Sequence, residues 1–494
     1  MYRPTFEEFR QLAGQGNLIP VYREMLADME TPLSIYRKID RGRYSFLLES
    51  MEGGEKWGRY SFMGLNPAVI VRSRGDKLER IDADGSIHAE TGDPVALLRK
   101  TLSAYKPVTV AGLPRFFGGA VGYLGYDIVR FIEDLPETNP DVLGFYDMVL
   151  AVCNQIIIYD TFNQSVKIIS NVFLQGNTDL RSQYEQATGE IDRLVQDLST
   201  RLPDNPIPNA KMNSNGVSVQ SNMTPDEFKA IVGRAKEYIR AGDIIQAVLA
   251  QRFESAWDGD PFLVYRALRR INPSPYLFYL RFDDEFLIGS SPEVLVRLEN
   301  RKIEVRPIAG TRPRGRDEME DRALEEELLS DPKERAEHIM LVDLGRNDVG
   351  RVARFGSVEV NELMVTERYS HVMHIVSNVR GDLEENKDAF DVFAATFPAG
   401  TVSGAPKIRA MEIIEELEPD RRGPYAGAVG YFSFSGNMDL CIAIRTLLIK
   451  NGKISIQAGA GIVADSDPEK EYQETLNKAR GMIRAIEWAV KGLE

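Results

Sequence analysis

Two pairs of glutamates in this sequence stand one helical turn apart, and their spacing indicates a site for a hard cation. Glu334 and Glu337 belong to DPKERAEHIMLVDLGRNDVGR, residues 331–351, and Glu471 and Glu474 belong to DPEKEYQETLNKARGMIRAIEWAV. Carboxylates at i and i+3 leave the same face of a helix. Mg2+ takes one or two carboxylates and keeps water or an anionic substrate as its other ligands, so the two pairs could share one ion. A single such pair is more often a solvated helix face.

Each pair requires a helix that begins just before it. Asp331 and Asp467 are suitable N-caps, and Pro332 and Pro468 follow them at the first helical position. The Gly/Asn/Asp run at 345–348 predicts a turn that ends the first helix. The apolar bulk of that helix would come from Ile339, Met340, Val342 and Leu344.

Composition excludes several classes of protein. The chain has 494 residues, which predicts two or three units or one large interleaved body. Its formal net charge of −14 disfavours nucleic acid or an anionic membrane as the main partner, because both require an excess of Lys and Arg. Cys153 and Cys441 are its only cysteines, which excludes a disulfide framework. Without a recognisable signal or membrane-spanning run, we expect a reduced, cytoplasmic and soluble protein.

The chain is predicted to have two domains. A Pro-, Asn- and Ser-rich stretch at 201–222 predicts a linker between an N-terminal domain, residues 1–200, and a second domain, residues 223–494. Thr224 and Glu227 predict a capping box that starts the next helix. Short β-rich runs then alternate with helical runs, which indicates a largely antiparallel α+β body with helices on the outside.

The sequence GAVGY occurs twice, at 119–123 and 427–431. No extended repeat surrounds the two copies, so β-strand packing with close backbone approach explains them at least as well as duplication does. Neither copy has the spacing of a nucleotide-binding loop.

Several clusters of residues in the second half of the chain are too polar to belong to a hydrophobic core. Each cluster alone is better explained as a turn, a cap or surface charge, but together they describe a site for a polyanion with a metal, an acid and a base. The side chains concerned are Glu293, Arg312, Arg314, Arg316, His371, His374, Thr401, Lys407 and Arg445, with glycines at 459 and 461.

The chain resembles the chorismate-binding enzymes. The matching motifs are RAGDIIQAVLAQRF, INPSPYLFYL, IGSSPEVLVR, RPIAGTRPRG, ERAEHIMLVDLGRNDVGRV, HVMHIVSNVRG, TFPAGTVSGAPKIRAMEII, GAVGYFSF and AGAGIVADSDPEKEYQET, with LLES and GGAVGYLGYD in the first half. The resemblance implies an α+β fold in which two β-sheets pack face to face with helices on the outside.

The resemblance also implies roles for individual residues. Mg2+ would be held by Glu337 and Glu474, with Glu334 and Glu471 beside them. Glu293 would protonate the departing C4 hydroxyl of chorismate, since an acid there turns hydroxide into water. His374 would move the proton before pyruvate is lost, and His371 would be a packing residue. The substrate contacts would be Gly310, Thr311, Thr401, Tyr425, Arg445, Gly459, Ala460 and Gly461.

Two positions distinguish the reactions of the family. Relatives that add water to chorismate carry a lysine base where this chain has Gln246, and aminodeoxychorismate synthases carry a nucleophilic lysine where it has Ala309. We therefore expect a Mg2+-dependent lyase that converts chorismate and ammonia to anthranilate and pyruvate, the first committed step of tryptophan biosynthesis. The alternatives are an aminodeoxychorismate synthase, an isochorismate or salicylate synthase, and a non-catalytic relative.

Two further partners follow from the resemblance. Neither cysteine belongs to a Cys-His-Glu pattern, so a separate glutamine amidotransferase subunit would supply the ammonia in a hetero-oligomer. LLES and NPSPY would form a pocket for tryptophan as feedback inhibitor, in which an acid binds the ammonium and an apolar slot takes the indole. The pocket residues would be Leu48, Glu49, Ser50, Lys56, Pro275, Tyr276, Leu277 and Phe278.

Overall fold

Two antiparallel sheets form the centre of the computed structural model, which describes residues 1–40, 42–51, 58–176, 179–202, 217–369 and 372–493. Its helices are α1 Phe6–Leu12, α2 Pro32–Ile39, α3 Pro94–Ser103, α4 Leu180–Leu198, α5 Pro225–Ala241, α6 Pro261–Ile271, α7 Glu318–Ser330, α8 Pro332–Gly350, α9 Ala389–Thr396, α10 Lys407–Leu417 and α11 Pro468–Val490, with 3-10 turns at Tyr126–Phe131 and Gly400–Val402. None of the helices in these ranges has the length and apolar character needed to cross a membrane.

The strands run from one end of the chain to the other. They are β1 Tyr2–Arg3, β2 Leu18–Leu26, β3 Tyr44–Glu49, β4 Tyr60–Leu65, β5 Val69–Arg74, β6 Lys77–Asp82, β7 Ile87–Thr91, β8 Gly119–Leu124, β9 Met148–Cys153, β10 Gln155–Asp160, β11 Ser165–Phe173, β12 Gln220–Ser221, β13 Gln246–Ala256, β14 Tyr276–Phe282, β15 Glu285–Ser291, β16 Val294–Glu299, β17 Lys302–Val305, β18 Ile308–Pro313, β19 Glu359–Arg368, β20 Val372–Asp382, β21 Gly404–Ala405, β22 Ala428–Ser433, β23 Met438–Ile442, β24 Thr446–Lys450 and β25 Lys453–Ile462.

Both sheets contain strands from the two predicted domains. The first sheet has the order β1-β2-β11-β10-β4-β3-β14-β15-β24-β25-β13-β12, with β21 on β13. The second has the order β18-β20-β17-β16-β23-β22-β8-β9-β5-β6-β7, with β19 on β20. Strand β3 pairs with β14 and β8 pairs with β22, so the first 200 residues share each sheet with the second half of the chain. The domain boundaries at 200 and 223 stay a prediction.

An aromatic core lies between the two sheets. Phe62 on β4 contacts Tyr431 on β22, with ring centroids 6.2 Å apart, and Tyr276 on β14 donates to the carboxylate of Asp439 on β23 at 2.7 Å. Burial of each aromatic side chain here contributes about 2 kcal/mol to folding. Helices α5, α6 and α11 cover the outer face of the first sheet, and α3, α8 and α9 cover that of the second. The predicted fold, two sheets packed face to face with helices outside, is confirmed.

Local capping chemistry explains where the site-bearing helices begin. Asp331 accepts from the backbone N–H groups of Lys333 and Glu334 at the start of α8, and Asp467 caps α11 in the same way. The capping box predicted for α5, between Thr224 and Glu227, is present. These caps satisfy backbone donors that have no partner inside the helix.

The predicted turn at 345–348 is wrong, because α8 continues to Gly350. Gly345 packs closely on the second sheet, where an added Cβ would lie 3.5 Å from Pro307, and Asp348 pairs with Lys407 at 2.8 Å. Tertiary packing thus overrides the low helix propensity of this run. The apolar stripe is also shifted, since Ile339 is 41% exposed whereas Leu341 and Val342 are buried.

The two copies of GAVGY lie side by side in the second sheet. Gly122 on β8 is the register partner of Gly430 on β22. A Cβ on Gly122 would lie 2.0 Å from the carbonyl oxygen of Val149, and one on Gly430 would lie 2.1 Å from that of Asp439. Close backbone approach therefore requires glycine in both copies.

Candidate active site

A cavity of about 590 Å³ opens between the first turns of α8 and α11. Its walls are completed by β13, β18, β20, β25 and the 3-10 turn at 400–402. It brings together predicted site residues that are up to 228 positions apart, from Gln246 to Glu474. The predicted residues that line it are Gln246, Glu293, Gly310, Thr311, Glu334, Glu337, His374, Thr401, Tyr425, Arg445, Gly459, Gly461, Glu471 and Glu474.

The four acids face the cavity from both helices. Glu334 accepts from Arg312 at 3.1 Å, and Glu474 pairs with Lys478 at 2.7 Å. Burial raises the pKa of Glu337, and the neighbouring charges of Glu334 and Glu474 raise it further. Burial and the charge of Glu474 likewise raise the pKa of Glu471. The carboxylates are therefore held close enough to repel one another, which a bound cation would relieve.

This set of donors fits Mg2+. No cluster of three or more His, Cys, Asp or Glu side chains has metal-binding geometry in the described ranges. Mg2+ does not require such a cluster, because it is usually bound through one or two carboxylates together with water and substrate oxygens. Glu337 and Glu474, one from each helix, are the residues that would hold it, with Glu334 and Glu471 as neighbours.

Glu293 lies between β15 and β16 and is held by Thr401. The Thr401 hydroxyl donates to Glu293 Oε2 at 2.8 Å. Burial raises the pKa of Glu293, while the Thr401 hydrogen bond and the charges of Lys478 and Arg445 act in the opposite direction. A carboxyl group with a raised pKa can retain its proton and act as a general acid.

His374 on β20 is oriented by the strand beside it. Its Nδ1 donates to the carbonyl oxygen of Gly310 at 3.1 Å and lies 3.0 Å from the Thr311 hydroxyl. With the proton on Nδ1, the neutral ring offers Nε2 as its basic nitrogen. Burial lowers the pKa of His374, and the nearby Arg445 adds to this effect. The ring is therefore neutral at physiological pH.

Arg445 and two glycines of strand β25 line the cavity and make a candidate cradle for anions. Arg445 has a positive φ of 51° and donates to the carbonyl oxygen of Lys478 at 2.8 Å. A Cβ on Gly459 would lie 3.0 Å from the Tyr425 hydroxyl, and one on Gly461 would lie 2.5 Å from Gln246 Nε2. Glycine at both positions thus lets Tyr425 and Gln246 pack directly against the backbone of β25. Burial raises the pKa of Tyr425 to about 12, so it is a neutral hydrogen-bond donor.

Ala460 does not line the cavity. Its side chain is fully buried and packs with Leu249 and Phe228 in the core under α5. Because side chains alternate along a strand, Ala460 points away from the face that carries Gly459 and Gly461. Any contact between Ala460 and a substrate would therefore have to involve its backbone.

Gln246 is buried at the inner end of the cavity. Its Nε2 donates to Glu337 Oε1 at 3.2 Å, while its Oε1 is buried without a hydrogen-bond partner among the described residues. An orphaned amide oxygen in a polar cavity is a ready acceptor for a small N–H or O–H donor.

The arginines of RPIAGTRPRG do not belong to the anion cradle. Arg312 pairs with Glu327, Asp331 and Glu334. Arg314 pairs with Asp321, Arg316 pairs with Glu320, and Lys407 pairs with Asp348. None of these four side chains lines the cavity, which agrees with the interpretation of each cluster alone as a turn, a cap or surface charge.

Lys478 was missed by sequence reasoning. Its Nζ donates to the carbonyl oxygen of Gly459 at 2.9 Å and pairs with Glu474. The sequence does indicate this ion pair, because Glu474 and Lys478 stand at i and i+4 on a predicted helix. Lys478 thus contributes a positive charge between the Glu474 carboxylate and the Gly459 carbonyl group of β25.

A second, smaller cavity of about 60 Å³ lies between the sheets at the predicted tryptophan pocket. It is lined by Leu48, Glu49, Ser50, Pro275, Tyr276, Leu277 and Phe278, and by Arg115, Arg297, Tyr431 and Asp439. Lys56, the remaining predicted member, lies outside the described residues. The Glu49 carboxylate is bound by Tyr265 and Arg269 of α6, and Leu277 packs in the core on that same outer side of the sheet.

The smaller cavity is connected to Glu293 through hydrogen bonds. The Ser274 hydroxyl donates to the carbonyl oxygen of Ser291 at 2.6 Å, two residues before Glu293. Tyr276, which lies two residues after Ser274 and begins β14, pairs with Ser291 on β15. A ligand that displaced the 274–276 segment would therefore shift the end of β15, two residues before Glu293.

Comparisons with known proteins identify relatives of the whole chain. The family model described as chorismate binding enzyme matches residues 45–484. Anthranilate synthase component 1 of Aquifex aeolicus is 52% identical over 491 residues, covering 99% of this chain and 99% of that protein. The crystal structure of anthranilate synthase component I from Streptococcus pneumoniae has a TM-score of 0.77 at 36% identity, covering 93% of this chain and 99% of the other. The menaquinone-specific isochorismate synthase of Escherichia coli, at 20% identity and a TM-score of 0.70 over 97% of this chain and 98% of the other, shares the fold.

Proposed function

The chain belongs to the chorismate-binding enzyme family, and we propose that it is the large subunit of an anthranilate synthase that converts chorismate and ammonia to anthranilate, pyruvate and water. Similarity to component 1 enzymes over nearly the whole chain supports the large-subunit role. The observation that carries the proposal is the single cavity in which Glu293, His374 and Arg445 face four carboxylates, with a neutral Gln246 at its inner end.

The residues of the cavity divide the reaction between them. Arg445 and Tyr425 bind the enolpyruvyl carboxylate of chorismate. Ammonia attacks C2 while Glu293 gives its proton to the departing C4 hydroxyl, which leaves as water. The ammonium group formed at C2 then loses one proton, which replaces the proton that Glu293 gave. His374 Nε2 takes the proton from C2 so that the enolpyruvyl group can leave, and the methylene carbon of that group takes up this proton to give pyruvate. Glu337 and Glu474 would hold Mg2+, which when bound would supply positive charge to the ring carboxylate.

Gln246 and Ala309 direct the choice of nucleophile. Neither side chain can act as a base or as a covalent nucleophile, whereas a lysine at either position could. Ammonia needs no base to attack, and the Gln246 Oε1, which has no hydrogen-bond partner among the described residues, would accept an N–H hydrogen bond from it. This favours an amino product over isochorismate, and it disfavours aminodeoxychorismate synthesis through an enzyme-bound intermediate.

A partner subunit supplies the ammonia in this proposal. Burial raises the pKa of Cys153 to about 12 and that of Cys441 as well, so neither thiol is a nucleophile at physiological pH. Glutamine hydrolysis therefore belongs to a separate amidotransferase, in keeping with the component 1 naming of the relatives. We place the complex in the cytoplasm, as the composition of the chain predicts.

Tryptophan is the proposed feedback inhibitor. The cavity between the sheets offers aromatic walls and the Arg115–Asp439–Arg297 ion group, both of which suit an aromatic zwitterion. Its link to Glu293 through Ser274 and Ser291 provides a route by which occupancy changes the reaction. At about 60 Å³ the cavity must widen to take an indole ring, so binding requires a change in shape.

One assay tests the proposal. Purified protein is mixed with chorismate, Mg2+ and an ammonium salt, and anthranilate fluorescence and pyruvate are followed together. Equal amounts of the two products are expected. Accumulation of isochorismate, salicylate or aminodeoxychorismate would identify one of the alternative reactions, and the absence of any product from bound chorismate would support a non-catalytic role.

A further inference from the structure

Arg422 is the side chain around which the wall of the cavity is assembled. It is 2% exposed and forms a bidentate ion pair with Glu418, with Nε 2.9 Å from Oε2 and Nη2 2.5 Å from Oε1. Its remaining donors reach two backbone carbonyl oxygens, those of Val402 at 2.6 Å and Val248 at 2.7 Å. A buried ion pair of this kind gains little stability over apolar packing, so stability alone does not account for it.

The two carbonyl groups belong to segments that carry substrate-facing side chains. Val402 follows Thr401, whose hydroxyl holds Glu293. Val248 lies on β13 two residues after Gln246, and its N–H donates to the carbonyl oxygen of Ser403 at 2.9 Å. One guanidinium group therefore fixes the 3-10 turn at 400–402 against β13.

Glu418 extends the same assembly. Its Oε1 accepts from the backbone N–H of Ala250 at 2.8 Å, which gives β13 a second attachment to the ion pair. The Arg422 guanidinium also lies 5.7 Å from the ring centroid of Tyr425, which faces the cavity. The ion pair thus contacts three segments that line the cavity but does not line it itself.

The first half of the chain contributes Tyr126 to this assembly. The Arg422 guanidinium lies over its ring at 4.9 Å, and the Tyr126 N–H donates to the carbonyl oxygen of Gly423 at 2.7 Å. Tyr126 belongs to the GGAVGYLGYD motif, to which the proposed mechanism gives no part. Its hydroxyl is buried without a partner among the described residues, so the ring is the part of the side chain that interacts with Arg422.

We propose that Arg422, together with Glu418 and Tyr126, forms a positioning centre that aligns Thr401, Gln246 and Tyr425 around the substrate and makes that alignment depend on the first half of the chain. The proposal rests on the proposed function for the identity of the reaction. Arg422 is a positioning residue because it touches no substrate-facing space, and displacement of a contact by about 1 Å can cost about 100-fold in rate.

Matched substitutions at Tyr126 test the proposal. Tyr126→Phe keeps the ring over Arg422 and removes only the unpartnered hydroxyl, so it should behave as the wild type. Tyr126→Leu removes the ring, and we expect kcat/KM for chorismate to fall about tenfold. The two variants should have melting temperatures within a few degrees of each other. Equal kcat and KM in Tyr126→Leu and Tyr126→Phe would overturn the role of Tyr126.

Arg422→Lys tests the centre itself, because lysine keeps the charge but cannot make the bidentate pair and both carbonyl contacts. We expect kcat to fall at least tenfold per folded molecule, with the alkaline limb of the pH profile moving to higher pH as Thr401 releases Glu293. Structural damage alone would lower the folded fraction and leave the alkaline limb at its wild-type pH. That result would contradict the proposal. If Arg422→Lys does not fold, the comparison of Tyr126→Leu with Tyr126→Phe tests the proposal.

Chorismate binding separates failure of this proposal from failure of the proposed function. If the wild type binds chorismate but forms no anthranilate, the proposed function is wrong. Equilibrium binding of chorismate with Mg2+ and no ammonia then tests the centre, since weaker binding by Tyr126→Leu than by Tyr126→Phe supports it and equal binding rejects it.

Discussion

Gln246 Nε2 donates to Glu337 Oε1 at 3.2 Å, so the residue that we propose selects the nucleophile is hydrogen-bonded to a proposed metal ligand. We predict that Gln246→Lys raises the Mg2+ concentration needed for half-maximal activity about tenfold or more, because an ammonium group here would form an ion pair with Glu337 and compete with the cation. The measurement is a Mg2+ titration of anthranilate formation at saturating chorismate. Gln246→Met, which is neutral and cannot donate, is the control and should not need more Mg2+ than the wild type.

Glu337→Gln and Glu474→Gln are each expected to lower kcat at least about 100-fold, because a neutral amide replaces a charged ligand of a hard cation. The fold should be retained, since the isosteric change leaves helix packing intact. Asp343→Asn on α8, an exposed acid paired with Arg346, is the matched control and should keep full activity. Near wild-type turnover of either glutamate variant at ordinary Mg2+ would exclude the two-helix metal site.

The hydrogen bond from Thr401 to Glu293 predicts a pH effect. It lowers a pKa that burial raises, so Thr401→Val should raise the pKa of Glu293. Glu293 must be protonated to act as the acid, and activity is therefore lost as pH rises through its pKa. We expect the alkaline limb of kcat/KM in Thr401→Val to move to higher pH, with lower kcat. If the alkaline limb of kcat/KM does not move, Glu293 is not the acid whose loss of a proton ends activity.

The acidic limb should instead report His374, whose pKa burial lowers. Its Nε2 must be unprotonated to take the C2 proton, so activity is lost as pH falls through that pKa. Because the shift is downward, activity should persist to a lower pH than an ordinary histidine would allow. Thr401→Val should leave this limb in place, and a pH–rate profile of each variant measures both limbs together.

Local chemistry was sufficient to predict the helices that carry the acids. Asp331 and Asp467 cap α8 and α11 as their sequences indicate, because N-capping depends on a few adjacent residues. The contact of Gln246 with Glu337 joins β13 to α8 across 91 positions, and no periodicity reports it. The ion pairs of Arg312 with Asp331 and Glu334 likewise form only in the folded chain.

The orientation of Glu49 follows from the alternation of side chains along β3. Leu48 and Glu49 are adjacent on β3, so their side chains must point to opposite faces of the sheet. Accordingly Leu48 packs toward the space between the sheets, whereas the Glu49 carboxylate is bound by Tyr265 and Arg269 of α6. An inhibitor between the sheets can reach the Glu49 carboxylate only where β3 ends.

Ser50 stands at that end of β3 and borders the small cavity between the sheets. We predict that Ser50→Phe relieves inhibition by tryptophan and leaves uninhibited turnover close to that of the wild type. A phenyl group would fill the cavity, and a ligand shifts an equilibrium only through its difference in affinity for the two states, so loss of binding removes the inhibition. Turnover should be retained because Ser50 lines the small cavity and not the catalytic one. The measurement is a tryptophan titration of both proteins at the same chorismate concentration, where equal sensitivity, or an insensitive wild type, would show that tryptophan does not act through this pocket.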